Sequence, residues 1–333
     1  MRHGRVMMSK DLPTRTEQLL GALKRHGVSP EPPAALGVAA ARAVHTDAYL
    51  TFLETIWSRW ETVPERGLEV WPNTFPYWSG RVEDDARPPC PAEGVIGQIG
   101  WYIGDLAAPI GPHSWTSILK SCETAVTAAD AVLAGDRSAY ALCRPSGHHA
   151  RTDRGSGLCY INNTAAAAQR LRQRYSKVAI LDIDAHHGDG TQQIFYKRDD
   201  VLAISIHADP STYYPFFTGY AGETGYGAGE GYNLNLPLAH GAGADAMTRA
   251  IDQAMAKIRG FGADALVVAL GFDAHEKDPI GVLKLTSRDF ETVGRQMSAA
   301  GLPTLIVQEG GYAIDAIGDC LDAFLSGLGV TSP

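Results

Sequence analysis

Histidine and aspartate recur in short motifs whose spacing suits metal and proton chemistry. "DIDAHHGDG" offers Asp182, Asp184, His186 and His187. Side chains two apart in an extended segment point the same way, so Asp184 and His186 can aim at one point. "GFDAHEKDP" supplies Asp273 and repeats the D-x-H spacing with His275. One imidazole and two carboxylates form a compact nitrogen–oxygen set suited to Zn²⁺, with Fe²⁺ or Mn²⁺ also compatible. Three protein ligands leave a position for water and substrate, as catalytic metal sites require. A lone D-x-H more often serves ion pairing or capping. Its recurrence at a second strand end favours the metal.

"CRPSGHHARTDRGSG" sets His148 and His149 side by side in a glycine-rich stretch. Each ring carries a donor and an acceptor that need partners. A bound metal lowers the pKa of water and polarises a carbonyl. Hydrolysis then needs a proton shuttle, and the two histidines can divide that work if carboxylates set different protonation states. Asp182 and Asp189 are available for this. "QEGGY" ends in Tyr312, a phenol able to donate to an oxyanion. Gly310 and Gly311 let the backbone before it approach a site closely.

These motifs need elements to position them. Residues 139–143, 178–184, 201–207, 264–271 and 303–309 are short apolar runs rich in Val, Ile and Leu. They do not alternate, as expected of parallel strands buried on both faces. Between them, "NNTAAAAQRLRQRY" reads as a helix with an Asn start. "DAMTRAIDQAMAKIRGFG" places Met247, Ile251, Met255 and Ile258 on one helical face and is expected to end at Gly260. The alternation predicts a doubly wound α/β fold. In such sheets ligands bind outside the carboxyl ends of the strands. All five strand ends carry His, Asp, Glu or Tyr, which makes that rim the expected site.

Residues 66–115 are dense in Pro, Gly and Trp and lack a period, and read as a long ordered loop over a site or interface. Residues 209–231 form a second loop rich in Gly and aromatics. The chain has 333 residues, 45% of them hydrophobic, and a formal net charge of -8. That charge argues against non-specific nucleic-acid binding but admits a cationic substrate. Five scattered cysteines without a C-x-x-C pair exclude zinc-ribbon and thioredoxin readings and suggest a reducing, cytoplasmic compartment. No secretory h-region and no membrane-spanning apolar run is expected.

"RPSGHHA", "CYINN", "DIDAHHGDGTQ", "GFDAHEKDP" and "EGGY", in this order, resemble the histone deacetylase superfamily. "DPSTYYPFFTGYAGETGYGAG" and "IGQIGWY" are similar to the bacterial acetylpolyamine amidohydrolases within it. The likeness covers roughly residues 35–330 and implies the arginase–deacetylase fold, a single three-layer α/β/α domain with a mostly parallel sheet. It implies a zinc-dependent deacetylase that cleaves an N-acetyl amide to amine and acetate. Zn²⁺ would be held by Asp184, His186 and Asp273. His149 would be the main general base and acid, assisted by His148, with Asp189 and Asp182 orienting them in turn. Tyr312 would polarise the acetyl carbonyl. A structural K⁺ would involve Asp182, Asp184, His186, Ser205 and Ile206. Gly157, Leu158, Phe217 and Gly310 would line a narrow substrate tunnel. Relatives carry an aromatic at the Leu158 position, so the wall here is reshaped. Positions that carry cation-selecting acids in a polyamine relative are Ile96 and Ala107 here, with Asp105 close by. The resemblance also implies a homodimer capped by the 66–115 loop and a small N-acetylated amine as substrate.

Three other readings stand beside it. An acetyl-lysine peptide or another small amide uses the same chemistry. An arginase-like ureohydrolase needs two Mn²⁺ and an extra carboxylate pair, but His275 stands where D-x-D would be expected. A binding protein with a dead site would lack a ligand, a histidine or the tyrosine, and none is missing.

Overall fold

Runs of aliphatic and β-branched residues with no polar face can only be covered from both sides, and here they form one sheet. The computed structural model describes residues 5, 7–76 and 87–330. Its strands are β1 (Ser138–Ala141), β2 (Val178–Asp182), β3 (Val201–Ala208), β4 (Asn233–Leu238), β5 (Ala265–Leu270) and β6 (Thr304–Gln308). They lie in the order β1-β6-β5-β2-β3-β4, and every neighbouring pair is parallel. The helices are α1 (Pro13–Arg25), α2 (Ala39–Arg42), α3 (Asp47–Trp60), α4 (Val95–Tyr102), α5 (Ser114–Ala134), α6 (Asn163–Leu171), α7 (Asp189–Phe195), α8 (Ala244–Phe261), α9 (Asp289–Ala299) and α10 (Ile314–Leu328).

Successive strand residues face opposite layers. Val178 and Ile180 of β2 join a core with α3, α5 and α6. Ala179 and Leu181 join a second core with α1, α8, α9 and α10. The result is the expected three-layer α/β/α arrangement, with a sheet that is parallel throughout. From β2 the chain proceeds to β3 and β4 on one side, then returns to β5 and β6 on the other. The switch point, where ligands bind in such sheets, therefore lies between β2 and β5.

Several expectations need correction. β4 was not among the predicted strands, because "NLNLPL" alternates and carries Pro237. It is an edge strand, where a proline is tolerated. Its Asn233 and Asn235 side chains both donate to Gln192 of α7. α8 ends at Phe261 rather than Gly260, with Gly262 in left-handed backbone at φ 72°. The 66–115 segment contains a helix, α4, and an antiparallel bridge between the buried Val70 and Ile110. Residues 77–86 of that segment lie outside the described residues. The fold also begins well before residue 35. Leu19, Ala22 and Leu23 of α1 share a core with Ile317, Leu321 and Phe324 of α10.

Candidate active site

The ends of β2 and β5, neighbours at the switch point, bring three ligand atoms together. Single ligand atoms of Asp184, His186 and Asp273 all lie within 4.8 Å of one another. His186 Nδ1 is 3.1 Å from Asp184 Oδ1 and 2.8 Å from Asp273 Oδ2. Asp184 and Asp273 are almost fully buried. Burial, together with the charge of Asp184, pushes the Asp273 carboxyl up to about 7. Burial opposes charge on the His186 imidazole, but the two carboxylates hold its pKa up to about 9; a divalent metal would take the place of that proton, since its ligands must be deprotonated. The donor set therefore fits the metal foreseen for it. The backbone closes tightly behind. Gly310 N donates to Asp184 Oδ2 at 2.8 Å, and a Cβ at Gly310 would meet carboxylate oxygens of Asp184 and Asp273 at 2.5 and 2.6 Å. Only glycine fits there.

The loop after β1 carries the tandem histidines. His148 Nδ1 lies 2.8 Å from Asp182 Oδ2, and His149 Nδ1 lies 2.8 Å from Asp189 Oδ1. The expected pairings are both present in the geometry. Their electrostatics differ. Burial alone would lower the His148 pKa, but Asp182 and Asp184 hold it well above the ordinary value. His149 is brought down to about 4 by burial and by the neighbouring His148 charge, with Asp189 opposing. Asp189 is itself engaged by Arg151, whose Nε and Nη2 lie 3.0 and 2.9 Å from Oδ2. Its charge is thus largely answered by Arg151, which leaves His149 neutral beside a charged His148.

The turn after β6 carries Tyr312. Its amide donates to Asp278 Oδ2 at 2.7 Å. Burial raises the phenol pKa well above its ordinary value, so it stays a donor. Arg15 of α1 lies 4.9 Å from the ring centroid and donates to the carbonyls of Gly311 and Glu309 at 2.6 and 2.8 Å. Glu309 reaches the other way. Its carboxylate accepts from the amides of Gly147 and His148 at 2.7 and 3.2 Å and from the Thr164 hydroxyl at 2.8 Å. Burial pushes its pKa up to about 7. Asn162 caps α6 and also donates to the carbonyl of Ala150 at 3.1 Å, pinning the far end of the histidine loop.

Residues 157 and 158, expected to line a tunnel, lie beside His149. Gly157 has φ 55°, and a Cβ there would sit 2.5 Å from the His149 ring. Leu158 follows at φ 67°, a left-handed conformation that costs a branched side chain energy. Phe217, expected on the same wall, is not the ring in contact with His149. It is 87% exposed, whereas Tyr214 stands perpendicular to His149 with ring centroids 4.9 Å apart. The loop turns outward after Pro215, carrying Phe216 and Phe217 toward solvent. Ile96 packs against the α3/α5 core, and the amide of Ala107 donates to Asp105 at 2.8 Å.

Other predicted residues also find places. Asp182 and Ser205 are register partners on β2 and β3, and Ser205 and Ile206 are buried. Ser205 Oγ lies 2.8 Å from His207 Nδ1. His187 is buried against His207 at 4.6 Å and turned from the carboxylate pair. His275 also turns away: Lys277 N donates to its Nδ1, and its Nε2 lies 3.2 Å from Ser287 Oγ. It does not complete a second metal position of the arginase kind. Arg15, Tyr214, Glu309 and Asp278 are site residues that the motif reading does not mark out. Glu309 and Asp278 sit inside quoted motifs, so their signal was present. Arg15 lies in a segment with no motif, and only the fold brings it to Tyr312.

Comparison with known proteins agrees with this geometry. The histone deacetylase domain family matches residues 10–328. An acetylpolyamine amidohydrolase of Burkholderia pseudomallei is 42% identical over 327 residues, covering 98% of this chain and 93% of that protein. The acetylpolyamine amidohydrolase of Mycoplana ramosa is 43% identical over 319 residues, covering 95% and 91%. A crystal structure of acetylpolyamine aminohydrolase from Burkholderia pseudomallei superposes with a TM-score of 0.93 over 99% of this chain and 94% of that one. A match that runs through the N-terminal helix to the last one, on this sheet, means that the chain belongs to the histone deacetylase family of metal-dependent amide hydrolases.

Proposed function

We propose that this enzyme hydrolyses the N-acetyl amide of a small acetylated amine, an acetylpolyamine first among them, to amine and acetate. The observation that carries the reading is the convergence of Asp184, His186 and Asp273 beside a neutral His149 and a protonated Tyr312. The similar proteins named acetylpolyamine amidohydrolase support the substrate class.

Asp184, His186 Nδ1 and Asp273 would hold the metal, with Zn²⁺ the first expectation and Fe²⁺ compatible. When bound, the metal activates water and polarises the acyl carbonyl. His149 has Nδ1 committed to Asp189, so its Nε2 takes the proton from the attacking water and later delivers it to the leaving amine. His148 stays protonated against Asp182 and lends positive charge to the developing oxyanion. Tyr312 donates to that oxyanion from the opposite side. Gly310 closes the pocket behind the carboxylates, and Gly157, Leu158 and Tyr214 line the approach taken by the amine chain. A K⁺ bound by Asp182, Asp184, His186, Ser205 and Ile206 would stiffen the ends of β2 and β3. We read the chain as one catalytic domain.

The 66–115 segment is proposed to pair two copies and cap the site, which would admit small amines and exclude folded proteins. Among the described residues no helix is long and apolar enough to cross a membrane. The free cysteines suit a cytoplasmic location.

Zn²⁺- and Fe²⁺-loaded protein assayed on acetylputrescine, acetylspermidine, acetyl-lysine peptides and aryl acetamides tests the reading. The highest kcat/KM is expected for an acetylpolyamine. Preference for the peptides would replace the substrate, and hydrolysis of none would reject the reaction.

A further inference from the structure

Asp105 stands where three segments of the tunnel wall meet. It follows α4, in a stretch laid along residues 155–157 by hydrogen bonds between Gly104 N and Gly155 O and between Gly155 N and Tyr102 O. Its Oδ1 accepts from Ala107 N at 2.8 Å, closing its own turn. Its Oδ2 accepts from Gly157 N at 3.0 Å and from the Tyr214 hydroxyl at 2.8 Å. These three partners are all neutral, and burial raises the carboxyl pKa.

The two residues joined by Oδ2 are those that flank His149. A Cβ on Gly157 would lie 2.5 Å from the His149 ring and 3.0 Å from the Tyr214 hydroxyl, and Tyr214 meets the same imidazole edge-on. Gly157 belongs to a turn with left-handed backbone at two successive residues. Such a turn persists only where its surroundings over-determine it. Tyr214 comes from an otherwise glycine-rich loop whose next aromatics, Phe216 and Phe217, are exposed. Neither wall is held by packing alone at this point, and one carboxylate oxygen ties both.

We infer that Asp105 is a positioning residue that sets the bore of the substrate tunnel by tying Gly157 and Tyr214 to each other. It rests on the deacetylase reading for the existence of a tunnel, but not on which amine enters. Without the tie, the wall beside His149 opens and an extended chain loses its contacts, while a ligand confined to the metal pocket does not.

The test uses Zn²⁺-loaded wild type, Asp105→Ala, Tyr214→Phe and the double variant. Two uncharged probes are compared by calorimetry: acetohydroxamate, which reaches only the metal pocket, and a hydroxamate on a linear alkyl chain, which fills the tunnel. Asp105→Ala is expected to weaken the long probe about tenfold and leave acetohydroxamate within about twofold. Tyr214→Phe should shift it in the same direction, and the double variant should resemble Asp105→Ala, because both changes break one tie. With whichever acetylated amine wild type turns over, KM should rise while kcat stays within a few-fold. Equal weakening of both probes, an unchanged long probe, or additive losses in the double variant would each overturn the inference. Binding of neither probe by metal-loaded wild type would instead reject the deacetylase site itself.

Discussion

His148 and His149 are neighbours in the chain and nearly in contact, with ring centroids 4.0 Å apart, yet they differ in charge. The cause lies in their carboxylates. Asp182 and Asp184 both act on His148, whereas Asp189 shares itself between His149 and Arg151. One ring is kept as a cation and the other as a base, the separation that acid–base catalysis near neutral pH requires. The roles proposed for Tyr312 and Asp184 separate oxyanion donation from metal holding in the same way. Tyr312→Phe should keep one metal per chain and lose about 10²–10³ in kcat; turnover near wild type would remove its role. Asp184→Ala should lose the metal, and a variant that still titrates one zinc per chain would contradict the ligand set.

The strand-end motifs were legible because each lies within a few residues of an apolar run, so the parallel sheet alone carries them to one rim. Expected and observed strand boundaries differ by no more than two residues at each end. Elements without a local signal were harder. β4 hides its Asn side chains in a polar network with Gln192, so it lacks the apolar run of its neighbours. α4 is short and contains two glycines. Tyr214 and Phe217 are both aromatics of one irregular loop, and only the turn at Pro215 decides which faces His149. α1 was invisible to motif reasoning, yet it delivers Arg15, 1% exposed, to the turn before Tyr312. Arg15→Met removes the donors to the Gly311 and Glu309 carbonyls. It should cost about 2–4 kcal/mol in urea unfolding and lower kcat by loosening Tyr312. Wild-type stability and kcat together would show that α1 only covers the core.

At the scale of the molecule, acid should be the weak side. His45 is buried between the Thr152 carbonyl and the Asn162 amide, which donates to its Nε2 at 2.9 Å. Burial brings its pKa down from 6.5 to about 4. As pH falls through 6.5, the unfolded chain binds this proton before the folded one. Stability rises with pH wherever the unfolded state holds more protons. The contribution of His45 is therefore complete above 6.5 and lost progressively between 6.5 and 4, on the order of 3 kcal/mol. In His45→Gln, where the amide can keep both partners, the fall of the urea midpoint over this range should be shallower; an identical slope would remove His45 from the account. The sheet order has a temporal consequence as well. β6 lies between β1 and β5, so β1 has no strand to pair with until residues 304–308 have been made. During synthesis the chain emerges N-terminus first. The start of the histidine loop, held by β1 and by Glu309 through the amides of Gly147 and His148, is thus not secured until β6 has left the ribosome, and a nascent chain has neither that anchor nor Tyr312 before then.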